Sequence, residues 1–513
     1  MPVADLILKN ASVITMDSRQ PRAELVAIKD GKILLVASKE ELESVREAGT
    51  KVVDCQGKTV VPGFNDAHCH VISFIRKLLS LDLSPSSVCS IDDIKATIHN
   101  RAKEIPPGEW ITGTDYNEFY LAEKRHPTRW DIDEVAPHHP VALAHRSLHA
   151  CVLNSRALSL AGITRETPDP PGGLIDRDPG TGEPSGLLFN MLSYIRKCVL
   201  PPLSEEELTK GMSLANQHYL SYGITSLQEA TASNSLERWQ IYQRFKDKLK
   251  SRVYMMFGIE ALSQFQDAGL AFGTGDSQLR LGGVKIMLDE TTGQLYPPQS
   301  DLNQQVFAAH QAGFQLAIHA IGENTVEAAI AALEYAQSQL PQANRRHRIE
   351  HCAECPPQLL ERLCGLQAVI VTQPPFIYYN GERYLAQVPA NQLPWLYRIK
   401  SPLSSGLMVA GSSDSPVVPN NPLVGIYAAV TRQAESGQHL QPQERASAGE
   451  ALAMYTINAA YASFEEDIKG SITPGKLADM VVLSSDPLKL PPEQIRDIRV
   501  EMTIIGGELV WEA

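Results

Sequence analysis

From about residue 223 to residue 433 the chain alternates short β-rich runs with amphipathic helical stretches, and no other feature limits its possible folds so much. GITSLQEA precedes a helical pattern at 236–250. RVYMMFGIE precedes one at 261–270, GGVKIMLDE one at 302–312, FQLAIHAIG one at 325–340 and HRIEHC one at 357–366. AVIVTQPP follows, and LMVAGSSD leads into a helical pattern at 422–433. Strands separated by helices are joined by crossovers and run parallel. With VVPGFNDAHCH near residue 60 there are eight such runs, the number that closes a (β/α)8 barrel of the TIM type.

The two chain ends read differently. ADLILKNASVITM, ELVAIKDGKILLVAS and KVVDCQGKTVVPGF mix β-branched residues with turn signals, and KDGK is an Asp-Gly hairpin turn. ADMVVLSSD and VEMTIIGGELVWE repeat that style near the C-terminus. The expectation is an α/β protein in which residues 1–60 and 466–513 form one small β-sandwich domain. Residues 61–72 and 211–465 then form the barrel. Residues 73–210 are too many for one crossover and carry the turn-rich stretches PDPPGG and DPGTGEPSG. They are expected to be an inserted subdomain capping the barrel mouth.

A barrel places its chemistry at the C-terminal ends of its strands, so polar side chains should end the apolar runs. His68 and His70 close the first run, and residues two apart on a strand face the same side. Lys285 lies inside GGVKIMLDE, where a lysine is costly unless neutralised or paired. His319 sits in FQLAIHAIG, His351 ends HRIEHC and Asp414 ends LMVAGSSD. Imidazole and carboxylate are ordinary ligands of zinc and related divalent ions. Each residue also has a plainer reading. An isolated H-x-H is often structural, Asp414 would suit a helix N-cap, and Lys285 would suit an ion pair with Asp289 or Glu290. The ordered recurrence at the ends of separate strands favours a metal site.

Composition excludes other classes. The formal charge of −13, with no long basic run, argues against nucleic acid as a partner. No stretch of about 18 apolar residues spans a membrane, and the N-terminus lacks the basic start and apolar core of a secretory signal. Eight dispersed cysteines suit reduced thiols and a cytoplasmic location. Cys352 and Cys355 form one isolated C-x-x-C, read as ordinary thiols.

VVPGFNDAHCH, GGVKIMLDE, LAIHAIGE, RIEHC and AGSSDSP together resemble the amidohydrolase superfamily, and more narrowly its YtcJ-like branch, amidohydrolase family 3. LHACVLNSRAL, GGLIDRDPGTGEPSGLL, YGITSLQEA and KGSITPGKLADMVVL extend the resemblance over nearly the whole chain. It implies an enzyme that cleaves a non-peptide carbon–nitrogen bond, of the amide, N-formyl or N-acyl type, with metal-activated water. One or two divalent ions are implied, zinc first among them. His68 and His70 would hold one ion, and His319 and His351 a second or the same one. Lys285 matches a lysine that relatives carboxylate with carbon dioxide, which makes it an anionic ligand. Asp414 would be both a ligand and the proton carrier beside the attacking water. His149 matches a pocket-facing histidine of the insertion that binds substrate, although a structural role suits it equally. Relatives often carry Gly after the strand-four Asp, whereas Glu290 follows Asp289 here. Homodimers are common in the family.

Trp110, Tyr116, Phe376, Tyr378 and Tyr379 lie near strand ends or in the insertion. Such aromatics suit a medium-sized small-molecule amide with an apolar group. A deaminase or cyclic-amide hydrolase on the same scaffold is the alternative within enzymes. A non-catalytic binding protein that retains the fold is the alternative outside them.

Overall fold

The computed structural model describes residues 3–290 and 293–513. The chain divides into two compact units. The first comprises Met1–His70, Ala215–Leu288 and Pro298–Ala513, and the second Val71–Leu214 and Asp289–Pro297.

The first unit is built on eight parallel strands paired in sequence order. They are β1 (Phe64–Cys69), β2 (Ile224–Glu229), β3 (Arg252–Gly258), β4 (Leu279–Met287), β5 (Leu316–Ala320), β6 (Arg348–His351), β7 (Val369–Thr372) and β8 (Met408–Gly411). Nearly every strand residue is buried, which is why the runs read as continuous apolar stretches rather than alternating ones. β8 and β1 meet through a seam beyond the ladder. Asp414 N donates to His68 O at 2.8 Å, and His70 N donates to Ser415 O at 2.8 Å. The eightfold barrel expected from the alternation is the architecture observed.

The helices lie at the expected places: Pro357–Leu366 has the expected bounds, Leu236–Phe245 and Pro422–Thr431 end sooner, and Gln299–Gln311 and Glu323–Gln339 begin earlier. The stretch 261–270 is a 3-10 turn, Ile259–Ala261, followed by the short helix Leu262–Asp267. VVPGFNDAHCH is two strands rather than one. Thr59–Pro62 pairs antiparallel with Met480–Leu483 in an outer sheet, and the chain then turns at Gly63 into β1. A Cβ at Gly63 would overlap the Thr225 side chain, so the close approach needs glycine there.

The chain ends do come together. A four-stranded sheet holds Leu6–Lys9, Leu25–Lys29, Lys32–Ala37 and Lys51–Asp54. A six-stranded sheet combines N-terminal strands with Met480–Leu483, Val500–Ile505 and Glu508–Glu512. Leu8, Val26, Ile28, Val60, Met480, Val482 and Ile504 share one apolar core between them. The KDGK turn places Asp30 and Gly31 at φ of 50° and 73°, the left-handed pair that a two-residue hairpin demands. Arg252, the first residue of β3, clamps Asp479 through two hydrogen bonds of 2.6 and 2.8 Å. The outer sheets are thereby tied to the N-terminal ends of the barrel strands.

The second unit has its own mixed six-stranded sheet, running from Leu174–Arg177 through Pro184–Phe189, Ala150–Leu153, Val141–His145 and Ile111–Tyr116 to Leu81–Asp82. Apolar clusters around Ile94, Ile98 and Leu143, and around Leu153, Ala157 and Leu188, give it two cores. Among the described residues no helix is long and apolar enough to cross a membrane.

Candidate metal centre

The C-terminal ends of the barrel strands gather the six side chains singled out in the sequence. The seam between β8 and β1 sets Asp414 against the first strand's histidines. Asp414 Oδ1 lies 2.9 Å from His70 Nε2 and 3.4 Å from His68 Nε2. Ligand-type atoms of these three residues all fall within 4.8 Å of one another. The His68 ring centroid is 5.3 Å from that of His70 and 5.0 Å from that of His351. His319 packs on His351 at 4.4 Å. Lys285, on β4, faces the same cluster electrostatically: Glu350 and Asp414 are the carboxylates that act on it.

His351 and Asp414 have φ of 71° and 59°, values uncommon for residues other than glycine. His351 is the last residue of its strand and Asp414 lies three residues past its own, so strict in–out alternation no longer decides where their side chains point. Asp414 is not a helix cap. The next helix, Pro422–Thr431, is capped by the Asn421 side chain.

Burial dominates the electrostatics. It lowers the His68 imidazole well below its usual value, with Lys285 adding to the effect. It pushes His351 down to about 4, against a partly opposing Asp414. Both rings are therefore neutral at pH 7, the form that donates a lone pair. For Asp414, burial alone would raise the carboxyl. The His70 hydrogen bond and the neighbouring imidazoles outweigh it and hold Asp414 below the usual carboxylate range, hence ionised. Lys285 is 1 % exposed, and its Nζ has no hydrogen-bond partner among the described residues. Desolvation lowers its ammonium to about 8, with Glu350 and Asp414 opposing. An amine so placed is an expensive group unless something else occupies its surroundings.

Side chains passed over in the sequence anchor the ring nitrogens remote from the cluster. His68 Nδ1 is 2.5 Å from Glu350 Oε2, His70 Nδ1 is 2.8 Å from Thr231 Oγ1, and His351 Nδ1 is 2.7 Å from Gln373 Oε1. Asp66, two residues before His68, accepts hydrogen bonds from Ser413 N and Oγ and from His68 N. Burial raises its carboxyl to about 6 despite them. Glu350 and Asp66 did leave a trace, as acids within apolar strand runs. Thr231 and Gln373 left none. This donor set fits a divalent cation. It combines imidazoles with one nitrogen anchored, an ionised carboxylate and a lysine with no hydrogen-bond partner among the described residues.

The remaining expected residues are distributed between the units. In the second unit, His149 Nδ1 is 2.9 Å from Asn190 Oδ1, and Asn190 Nδ2 donates to Asp289 at 3.0 Å. Trp110 is half-buried against that unit's core. Tyr116 is fully buried, with its hydroxyl 3.1 Å from His126 Nδ1. In the first unit, Phe376 packs with Ile377, Tyr384 and Tyr397, while Tyr378 and Tyr379 are half-buried on the helix Pro375–Gln387. Tyr116 and Phe376 therefore pack as core side chains rather than as walls of an open mouth. Cys352 and Cys355 are buried free thiols.

The chain is similar to known proteins over nearly its whole length. The model of the Amidohydrolase family matches residues 51–511. The chain is 31% identical to an N-substituted formamide deformylase of Arthrobacter pascens, over 99% of this chain and 98% of that one. It is 30% identical to the putative amidohydrolase YtcJ of Bacillus subtilis, over 98% of each. Among solved structures, an uncharacterized metal-dependent hydrolase from Pyrococcus furiosus superposes with a TM-score of 0.74 at 26% identity, covering 94% of this chain and all of that one.

Proposed function

Since the chain belongs to the amidohydrolase family, we propose that it hydrolyses a small-molecule amide of the N-formyl or N-acyl type, using one or two divalent cations held by His68, His70, Lys285, His319, His351 and Asp414. The observation that carries this reading is the meeting of those six side chains at one end of the barrel. The formamide deformylase among the relatives supports the choice of bond. Zinc suits the imidazole and carboxylate donors.

The chemistry supplied by a bound divalent cation is polarisation of the carbonyl oxygen and a fall in the pKa of water from about 16 toward about 7. The chain's own groups do the rest. Ionised Asp414 accepts a proton from the attacking water and returns it to the leaving nitrogen, which departs poorly unless protonated. His68 and His351 stay neutral and keep their lone pairs. Lys285, with an ammonium lowered to about 8, offers some free amine near neutral pH. That amine adds carbon dioxide to give a carbamate and one proton, turning a costly buried base into an anionic ligand.

The test is metal analysis of the purified protein, followed by a panel of N-substituted formamides and N-acyl amines. Formate or carboxylate released in equal amounts with amine is expected. Ammonia as the sole nitrogen product would replace this reading with deamination. A metal-loaded protein that hydrolyses no amide would remove it.

A further inference from the structure

Glu350 stands one residue before His351, yet it serves a different histidine. Its two carboxylate oxygens receive three N–H groups. Arg348 Nε donates to Oε1 at 2.7 Å, and Arg348 Nη2 donates to Oε2 at 3.1 Å. His68 Nδ1 lies 2.5 Å from Oε2. Arg348 is in turn fixed on every side: Nη1 donates to Gln228 Oε1 at 2.5 Å and Nη2 to Ala67 O at 2.7 Å. Arg348 and Glu350 are both fully buried, and these hydrogen bonds fix the carboxylate's orientation. A carboxylate that takes a guanidinium N–H on each oxygen is an acceptor, so the proton of neutral His68 must sit on Nδ1. The lone pair must then sit on Nε2, the nitrogen facing Asp414.

The other anchored histidines are held more weakly. Gln373 donates its amide hydrogen to Ser412 Oγ at 3.0 Å, so its oxygen also accepts from His351 Nδ1, but without charge. Thr231 Oγ1 can donate or accept, so it orients His70 without choosing its tautomer. Only the His68 anchor among these three combines a fixed tautomer with a negative charge, and charge-assisted hydrogen bonds are the stronger kind.

We propose that Glu350, clamped by Arg348, is a positioning residue that fixes His68 as a lone-pair donor at Nε2 and so sets the cation affinity of the centre. This rests on reading the cluster as a cation site. A carboxylate is needed because three donors converge on it. The amide of Glu350→Gln has one acceptor oxygen, so its NH2 group must face either the guanidinium or His68 Nδ1. In the second case the imidazole proton moves to Nε2 and the ligand is lost.

The experiment titrates chelator-stripped full-length protein with Zn²⁺ against a competing dye, and with Co²⁺ followed by visible absorption. Glu350→Gln is expected to bind about 10- to 100-fold more weakly than the parent, with an altered Co²⁺ spectrum and an unchanged far-ultraviolet circular dichroism spectrum. A folded Glu350→Gln that binds within twofold of the parent, with the same Co²⁺ spectrum, overturns the proposal and leaves the cation reading standing. A parent that binds neither ion overturns both. If Glu350→Gln does not fold, neutron diffraction of the stripped parent decides: a deuteron on His68 Nδ1 is expected, and one on Nε2 overturns the proposal.

Discussion

β6 carries a histidine at each end, and the two behave in opposite ways. His347 immediately precedes the strand and pairs with His310: His310 Nδ1 is 2.9 Å from His347 Nε2. Leu316 N donates to His347 Nδ1 at 3.0 Å, and His310 Nε2 lies 2.8 Å from Leu340 O. Every ring nitrogen of that pair is satisfied by protein. At the other end of the strand, His351 anchors Nδ1 on Gln373 and joins a cluster with an ionised carboxylate and a lysine that has no hydrogen-bond partner among the described residues. Burial and residue type are shared. What differs is whether the protein has used up the ring's hydrogen-bonding capacity, and which end of the barrel the ring occupies. A closed relay stabilises the fold, whereas an anchored ring with a remaining lone pair is equipped to hold a ligand.

The widest separation between the two ends should appear in turnover. Asp414→Asn keeps the fold and much of the bound metal but loses about 10²- to 10⁴-fold in kcat, whereas His347→Gln leaves kcat within about threefold. Steady-state rates on one formamide substrate check both, and an Asn variant within tenfold of the parent would remove Asp414 from proton transfer. Metal content comes next. His351→Ala purifies with less than half the parent's metal by elemental analysis, and His347→Gln retains the full complement. Stability then inverts the ranking. His347→Gln costs about 1–3 kcal/mol in urea unfolding, because it disturbs a buried relay of donors and acceptors. Lys285→Met instead stabilises the metal-free protein by about 1–3 kcal/mol, since it removes a buried polar group without a hydrogen-bond partner.

The smallest effect is in pH. Burial, helped by His310 and Arg345, pushes His347 down to about 3, against about 6.5 in an unfolded chain. Between those values the unfolded state holds a proton that the folded state lacks, so stability falls as pH drops through this window. The stability gap between parent and His347→Gln, measured on metal-stripped protein, therefore narrows from pH 7 to pH 4. A gap that stays constant would show that the relay does not resist protonation.

Much of this was legible in the sequence because barrels impose a simple rule. Eight apolar runs, each judged by the polar residue at its C-terminal end, sufficed to select His68, His70, His319, His351 and Asp414, and the cost of a charge inside a strand added Lys285. The rule uses only position along the chain. What it missed depends on proximity across it. Glu350 reaches His68 over 282 residues, and Thr231 reaches His70 over 161. No local pattern encodes which neighbouring strand supplies an anchor. The aromatic residues were ambiguous for a related reason. Tyr116 and Phe376 suit a ligand wall and a core equally well, and only packing decides between them. VVPGF hid a sheet-to-sheet corner because both halves are equally apolar and only Gly63 marks the turn.

The seam that closes the barrel also governs when the centre can exist. His70 and Asp414 are 344 residues apart in the chain. At synthesis rates of about 5–20 residues per second, the later partner leaves the ribosome on the order of 20 to 70 s after the earlier one. Through that interval the first two histidines lack the Asp414 carboxylate that the folded cluster sets beside them. The complete cluster therefore awaits the last barrel strand, so a cation held by all of it would report that the ring has closed.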